Sequence, residues 1–202
     1  MNASGAMRSK QREASGLRPP AAAARGYTTI EVMMALSILA IGTSGIVAME
    51  KAAVVGNAAA KSIATGTELA DRWAERLRTD AMVWNALVPT NDITETRWLQ
   101  TVVSSPNTWT LPASIPGKAS PYGDPLGADI VAVNDTSAVA YCTHISYRFI
   151  TPKMVSAVVR VSWRRDNSAI DCNAADMFTP AFDSGRYGAV YVTTGLMMQE
   201  RL

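Results

Sequence analysis

From Val32 to Met49 the chain runs eighteen residues without a charge, at the lower limit for a helix that crosses a bilayer. Tyr27 to Ile30 extend this apolar stretch on the other side of a single carboxylate, Glu31. With them the segment reaches bilayer length. A carboxylate at that position is costly unless something neutralises it, so Glu31 marks a functional site before any fold is assigned.

Two ordinary readings compete. A secretory signal peptide has an apolar region of about 7–15 residues followed by a small-residue cleavage site. Here the apolar run is longer, and the chain turns polar at Glu50 and Lys51 without an Ala-x-Ala site. Ala58-Ala59-Ala60 is small enough but lies well beyond the run. The segment therefore reads as retained. In the second reading, a plain signal anchor, Glu31 merely sits at headgroup level.

The junction itself favours a third reading. Gly26 followed by Tyr27-Thr28-Thr29-Ile30-Glu31-Val32 resembles the class III leader junction of type IV pilins and pseudopilins. The resemblance implies that a prepilin peptidase cuts after Gly26 on the cytoplasmic side and methylates the new amine of Tyr27. It also implies that Glu31, fifth after the cut, serves in assembly. Tyr27 replaces the commoner phenylalanine with an aromatic of similar shape. The physics is independent of the family: neither a charged terminal amine nor Glu31 tolerates an apolar environment alone. In a stack of identical anchors, one subunit's carboxylate can neutralise its neighbour's amine and so set register.

Charge placement agrees. The formal +2 of the chain divides into +4 on residues 1–26 and −2 on the remaining 176. The basicity thus belongs to the leader and fits the positive-inside rule, so the pI does not indicate nucleic-acid binding. The leader is Ala-, Ser- and Pro-rich with no periodic apolar face, as in disordered segments. Met7 offers an alternative start.

Past the apolar run, Ala52, Val55, Ala59, Ile63, Gly66, Ala70, Trp73 and Leu77 recur at spacings of three and four, which predicts one buried helical stripe. Lys61, Asp71, Arg72, Glu75, Arg76 and Arg78 occupy the other faces. One helix over Thr28–Thr79 would be about 78 Å long, matching the spine of a pilin. Gly42-Thr43-Ser44-Gly45 is a weak helix-forming interruption within it. It reads either as a place of close helix approach or as a place where the helix loosens. Ala48 stands near where many major pilins carry proline, which points to a minor pilin.

Residues 85–128 hold six of the ten prolines and cannot form a long regular element. A short helix is expected at Thr94–Val103, with Trp98 and Val102 on one face. Trp84, Trp98 and Trp109 read as staples of this connection to a core, or as interface anchors on a partner-facing loop.

Strand patterns follow. Asp129–Asn134 is a short apolar run ending in a turn signal. Tyr141, Thr143, Ile145, Tyr147 and Phe149 alternate with Cys142, His144, Ser146 and Arg148. Val155, Ala157, Val159, Val161 and Trp163 alternate with Ser156, Val158, Arg160, Ser162 and Arg164, so each strand has one apolar face. Pro152 fits the turn between them, and Gly188–Thr194 is a last strand. One long helix followed by antiparallel strands is an α+β fold. Val159-Arg160-Val161-Ser162-Trp163 resembles the Val-x-Val-x-Trp strand of V-type minor pilins and some minor pseudopilins.

Cys142 and Cys172, thirty residues apart on the exported side, are expected to form a disulfide in an oxidising compartment. Such a bond is similar to the C-terminal disulfide loop of many pilins. Two cysteines and the single His144 at unrelated spacing make no metal set, and no cofactor is implied. No Gly-x-Ser-x-Gly elbow, phosphate-cradling loop or His-Glu-x-x-His stands in the sequence. Asp124, Asp129 and Asp135 lack the spacing of a calcium loop.

The expected organisation is a cleaved cytoplasmic leader (1–26), a transmembrane half-spine (27–51), an amphipathic half-spine (52–84), a connecting loop (85–128) and a sheet with a disulfide loop (129–202). The fold expected from the resemblance is the pilin fold, its long N-terminal spine packed on a small antiparallel sheet. The expected function is structural rather than enzymatic: a minor pilin that primes type IV pilus assembly and supports a tip adhesin. It would reside in the inner membrane and at the pilus tip, with prepilin peptidase, other minor pilins and the major pilin as partners. A minor pseudopilin of type II secretion is the alternative of the same class. A membrane-tethered DNA-uptake module would need a basic face, for which Arg160, Arg164 and Arg165 are the candidates. A signal-anchored periplasmic enzyme lacks a catalytic set.

Overall fold

The computed structural model describes residues 26–85, 92–130, 138–179 and 183–199. The described residues divide into two units, those up to Met49 and those from Glu50 onward. Helix α1, Thr29–Ala81, runs for 53 residues through both. In the first unit every described residue is solvent-exposed, and among the described residues α1 is the one helix long and apolar enough to cross a membrane. Gly42–Gly45 does not break it. Thr43 and Ser44 turn their hydroxyls back onto the carbonyls of Ala40 (3.1 Å) and Ile41 (2.8 Å), so these hydroxyls are satisfied within the helix.

In the second unit α1 buries Gly66, Leu69, Ala70, Trp73, Ala74, Leu77, Asp80 and Ala81. The expected stripe is thus half right. Ala52, Val55, Ala59 and Ile63 are exposed, because the sheet meets the helix only from Gly66 onward. Burial turns on the presence of a partner surface, and periodicity alone does not supply one.

The sheet is antiparallel and five-stranded. Strands β3 (Tyr141–Thr151), β4 (Met154–Arg164) and β5 (Tyr187–Met197) are each eleven residues long. The order is β1-β3-β4-β5, and the short strands β1 (Trp109–Thr110) and β2 (Tyr122–Gly123) share the outer edge of β3. The β3–β4 turn falls at Pro152-Lys153, as expected, with one register shift between Phe149 and Thr151. β5 extends beyond the expected Gly188–Thr194 at both ends. The fold is therefore α+β, a long N-terminal helix packed on a small antiparallel sheet. The proposed run Asp129–Asn134 lies largely outside the described residues, as does Asp135.

The apolar alternation places Tyr141, Ile145, Tyr147, Val155, Ala157, Val159, Val161 and Trp163 in one core with Leu69, Ala70, Trp73 and Leu77. The opposite face also carries a core, of Val139, Cys142, Ile170, Cys172, Met177 and Tyr187. The β4–β5 connection covers part of this face, and for that reason Cys142, His144, Arg160 and Ser162 are buried, whereas Arg148 farther along is exposed.

The 85–128 connection is not one exposed loop. Ile93, Trp98, Leu99, Val102 and Ala119 are buried in the main core. The helix expected at Thr94–Val103 divides into a 3-10 turn, Ile93–Glu95, and α2, Thr101–Ser104. Between them the backbone turns away to bond Asp80. Its carboxylate accepts the N–H groups of Arg97 (2.8 Å), Trp98 (2.8 Å) and Leu99 (3.1 Å). Trp84 and Trp98 are buried staples, and Trp98 packs edge-on against Trp73 at 5.3 Å.

Candidate functional site

Three of the candidate residues lie in the first unit. Gly26 and Tyr27 precede α1, and Tyr27 is 82% exposed. Glu31 falls in the first turn of the helix. Its N–H bonds to the carbonyl of Thr28 at 3.0 Å and approaches the Thr28 hydroxyl at 3.4 Å. Thr28-Thr29-Ile30-Glu31 has the Ser/Thr-x-x-Glu spacing of a capping box, a local role not drawn from the sequence above. An acidic residue there also suits the positive end of the helix dipole. Tyr27, Glu31, Val32, Ala35, Leu36 and Leu39 together line one shallow, mostly apolar groove along the helix start. Chemically, this arrangement offers a single anion at the head of an exposed apolar helix face.

Cys142 and Cys172 are in the second unit and are bonded, with Cα atoms 5.4 Å apart. The bond ties β3 to the β4–β5 connection, whose 3-10 turn Ala175–Phe178 lies over the back of the sheet. Beneath it sit two buried polar side chains paired across strands, His144 and Arg160. His144 Nε2 donates to the Cys172 carbonyl at 3.0 Å, which assigns its tautomer. Its ring meets Phe178 edge-on at 5.1 Å. Burial, and then the Arg160 charge, lower the His144 pKa to about 4, so the ring is neutral at ordinary pH.

Arg160 corrects the expected basic patch. Its guanidinium donates to the carbonyls of Met177 and Thr179 and lies 4.3 Å from the centre of the Trp109 ring. It is fully buried, and burial lowers its pKa. Arg164 is paired with Asp166 at 2.7 Å, and the bonds from Arg164 and Ser168 hold that carboxyl below the usual range. No surface cluster of three arginines exists at this place. The alternation put Arg160 on a polar face, but the β4–β5 connection covers that face.

The acidic residues of the loops have structural partners. Asp124 accepts the N–H groups of Leu126 (2.9 Å) and Ala128 (2.8 Å), and Asp129 pairs with Arg76. Among the described residues no three His, Cys, Asp or Glu side chains are grouped to hold a metal ion.

Sequence reasoning passed over Asp80, whose only signal was an acidic residue at the end of an apolar stripe. It also missed the burial of His144 and Arg160, which depends on a loop with no periodic pattern. Comparison of the chain with protein-family models, with curated proteins and with solved structures finds no match. The functional reading rests on the residues themselves.

Proposed function

We propose that this chain is a minor pilin, a structural subunit that joins a type IV pilus-like filament through its helical spine. The observation that carries the reading is the junction Gly26-Tyr27 directly ahead of α1, with Glu31 in the first turn of an exposed apolar helix. The packed sheet and the Cys142–Cys172 bond support it. In this reading a prepilin peptidase removes residues 1–26 and methylates Tyr27. The anchor holds the globular unit on the periplasmic face of the inner membrane. Glu31 then neutralises a neighbour's terminal amine as subunits stack, and the filament's other minor pilins and major pilin are its partners.

The Val159–Trp163 strand favours the V-type minor pilin among these, with a place in the priming complex beneath a tip adhesin. The type II secretion pseudopilin remains the second reading, because the same strand resembles some of its minor subunits. Deletion of the gene separates them: lost surface pili and motility support the pilin, whereas lost exoprotein secretion with intact pili supports the pseudopilin. A membrane fraction from peptidase-deficient cells should retain the full-length chain, and restoring the peptidase should shorten it by the 26-residue leader. No change on restoring the peptidase would overturn both readings.

A further inference from the structure

We infer that a cavity on the uncovered part of the sheet's back face is a binding site for an acidic sugar, a saccharide unit that carries a carboxylate. Asn107, Ser146, Arg148, Ser156 and Val158 line this cavity of about 350 Å³. That is within the size of sites that take small organic ligands, about 300–1,000 Å³. β3 and β4 supply four of the five residues. Ser146 stands opposite Val158 and Arg148 opposite Ser156 in the antiparallel register, so these four share one face of the sheet.

The fifth comes from the turn ahead of β1. The Asn107 N–H donates to the Tyr147 carbonyl at 2.8 Å, and the Thr108 hydroxyl donates to the Ser105 carbonyl at 2.8 Å. Asn107 takes a left-handed backbone, φ 59°, which asparagine tolerates better than most residues. These bonds pin the turn that brings the Asn107 amide to the cavity.

The polar lining is not used internally. Among the described residues, the Arg148 guanidinium, the Ser146 and Ser156 hydroxyls and the Asn107 amide make no hydrogen bond or ion pair. By contrast Arg160, on the same face, is taken up by the carbonyls of Met177 and Thr179.

Charge and chemistry identify the ligand. Arg148 is the one charged side chain lining the cavity among the described residues. No Asp or Glu occurs in residues 96–123, 138–165 or 187–197, which supply the cavity and the strands beside it. No carboxylate of these segments therefore competes with an anionic ligand. A guanidinium presents a planar fork that meets a carboxylate in two hydrogen bonds. The two hydroxyls and the amide both donate and accept, as the hydroxyls of a sugar do. The Val158 methyls offer an apolar contact to the C–H face of its ring. A peptide fits less well, because strand addition needs a free edge and helix docking an apolar groove. Here β3 is paired with β4 on one side and held by the 107–110 segment on the other.

The test is NMR titration of the full chain in detergent micelles with sodium galacturonate. The amides of Asn107, Arg148 and Ser156 should shift saturably. Galactose, which lacks the carboxylate, and acetate, which lacks the hydroxyls, should each bind at least about tenfold more weakly. Arg148→Gln should weaken galacturonate binding about tenfold or more. Arg148→Lys, which keeps the charge but loses the fork, should fall between. Asn107→Gly keeps the left-handed turn without the amide and should weaken binding about threefold. Both positions are exposed, so the unfolding midpoints should stay near that of the parent. No saturable shift, or undiminished binding by Arg148→Gln, would overturn the proposal. Equal binding of acetate or inorganic phosphate would also overturn it, in favour of a bare oxyanion site. Equal binding of N-acetylglutamate amide would overturn it in favour of a peptide. The cavity lies wholly in the second unit, so an unprocessed N-terminus would sink the pilin reading and leave these outcomes unchanged.

Discussion

The ring of Trp163 lies so close to Gly66 of α1 that a Cβ there would stand 2.9 Å from its Cζ3. On the other side, Gly188 of β5 leaves even less room, with a Cβ 2.5 Å from the ring. The indole that ends the Val-x-Val-x-Trp strand thus fills a slot opened by two glycines. Gly66→Ala gains up to about 1 kcal/mol of helix propensity but forces an overlap that costs about 1–3. A net loss of about 1 kcal/mol is expected. Gly188→Ala has no helical gain to offset its closer clash and should lose about 3 kcal/mol. Urea unfolding of both variants checks the order.

Asp80 should be the most sensitive acidic position. Its carboxylate is buried and accepts three N–H groups of the 97–99 turn; burial, and secondarily the Asp80 charge, raises the Tyr147 pKa. Asp80→Ala leaves buried donors unmet and should cost about 3 kcal/mol or more. Exchange of the Trp98 and Leu99 amides should rise in parallel, which separates loss of this bond from general loosening.

His144 makes stability depend on pH. Its folded pKa of about 4 lies below the ordinary 6.5, so the unfolded chain binds the extra proton. Stability is fully present above pH 6.5 and falls as pH drops from there toward 4, by about 3 kcal/mol. His144→Gln keeps a donor for the Cys172 carbonyl and should flatten that slope. A slope unchanged in His144→Gln would contradict the assignment.

Removing the disulfide opens a thirty-residue loop and should cost about 3–4 kcal/mol. Because that loop covers His144 and Arg160, Cys172→Ser should also raise the His144 pKa toward its ordinary value. Urea unfolding of this variant reads the first effect and NMR titration of the ring reads the second.

Much of this was open to sequence because period and burial coincide. The alternations of 141–147 and 155–163 are read correctly, because one face of each strand meets α1 and a two-residue period records that face; Phe149, expected on the same face, is exposed. The helix stripe fails over 52–63 because the pattern is present there while the partner surface is absent. Arg160 fails the other way. Its polar face is covered by a connection whose sequence has no period, and the cover is held by a covalent bond and by carbonyl acceptors. The broken helix at 94–103 has a similar cause, since a carboxylate on α1 takes the N–H groups that a helix would have used.

Glu31 separates local from intermolecular roles. A capping box accepts glutamine as well as glutamate, whereas charge neutralisation of an amine does not. Glu31→Gln should keep membrane insertion and processing, with a capping effect within about 1 kcal/mol, yet fail to enter filaments as Glu31→Ala does. Filament incorporation of Glu31→Gln at parental level would reduce Glu31 to a cap.

The central claim is that Gly26 is a processing site. Intact mass and N-terminal analysis of the membrane-extracted protein tests it most directly. The account predicts a chain of 176 residues beginning with N-methylated Tyr27. A chain that keeps residues 1–26, or one cut near Ala60, would contradict it.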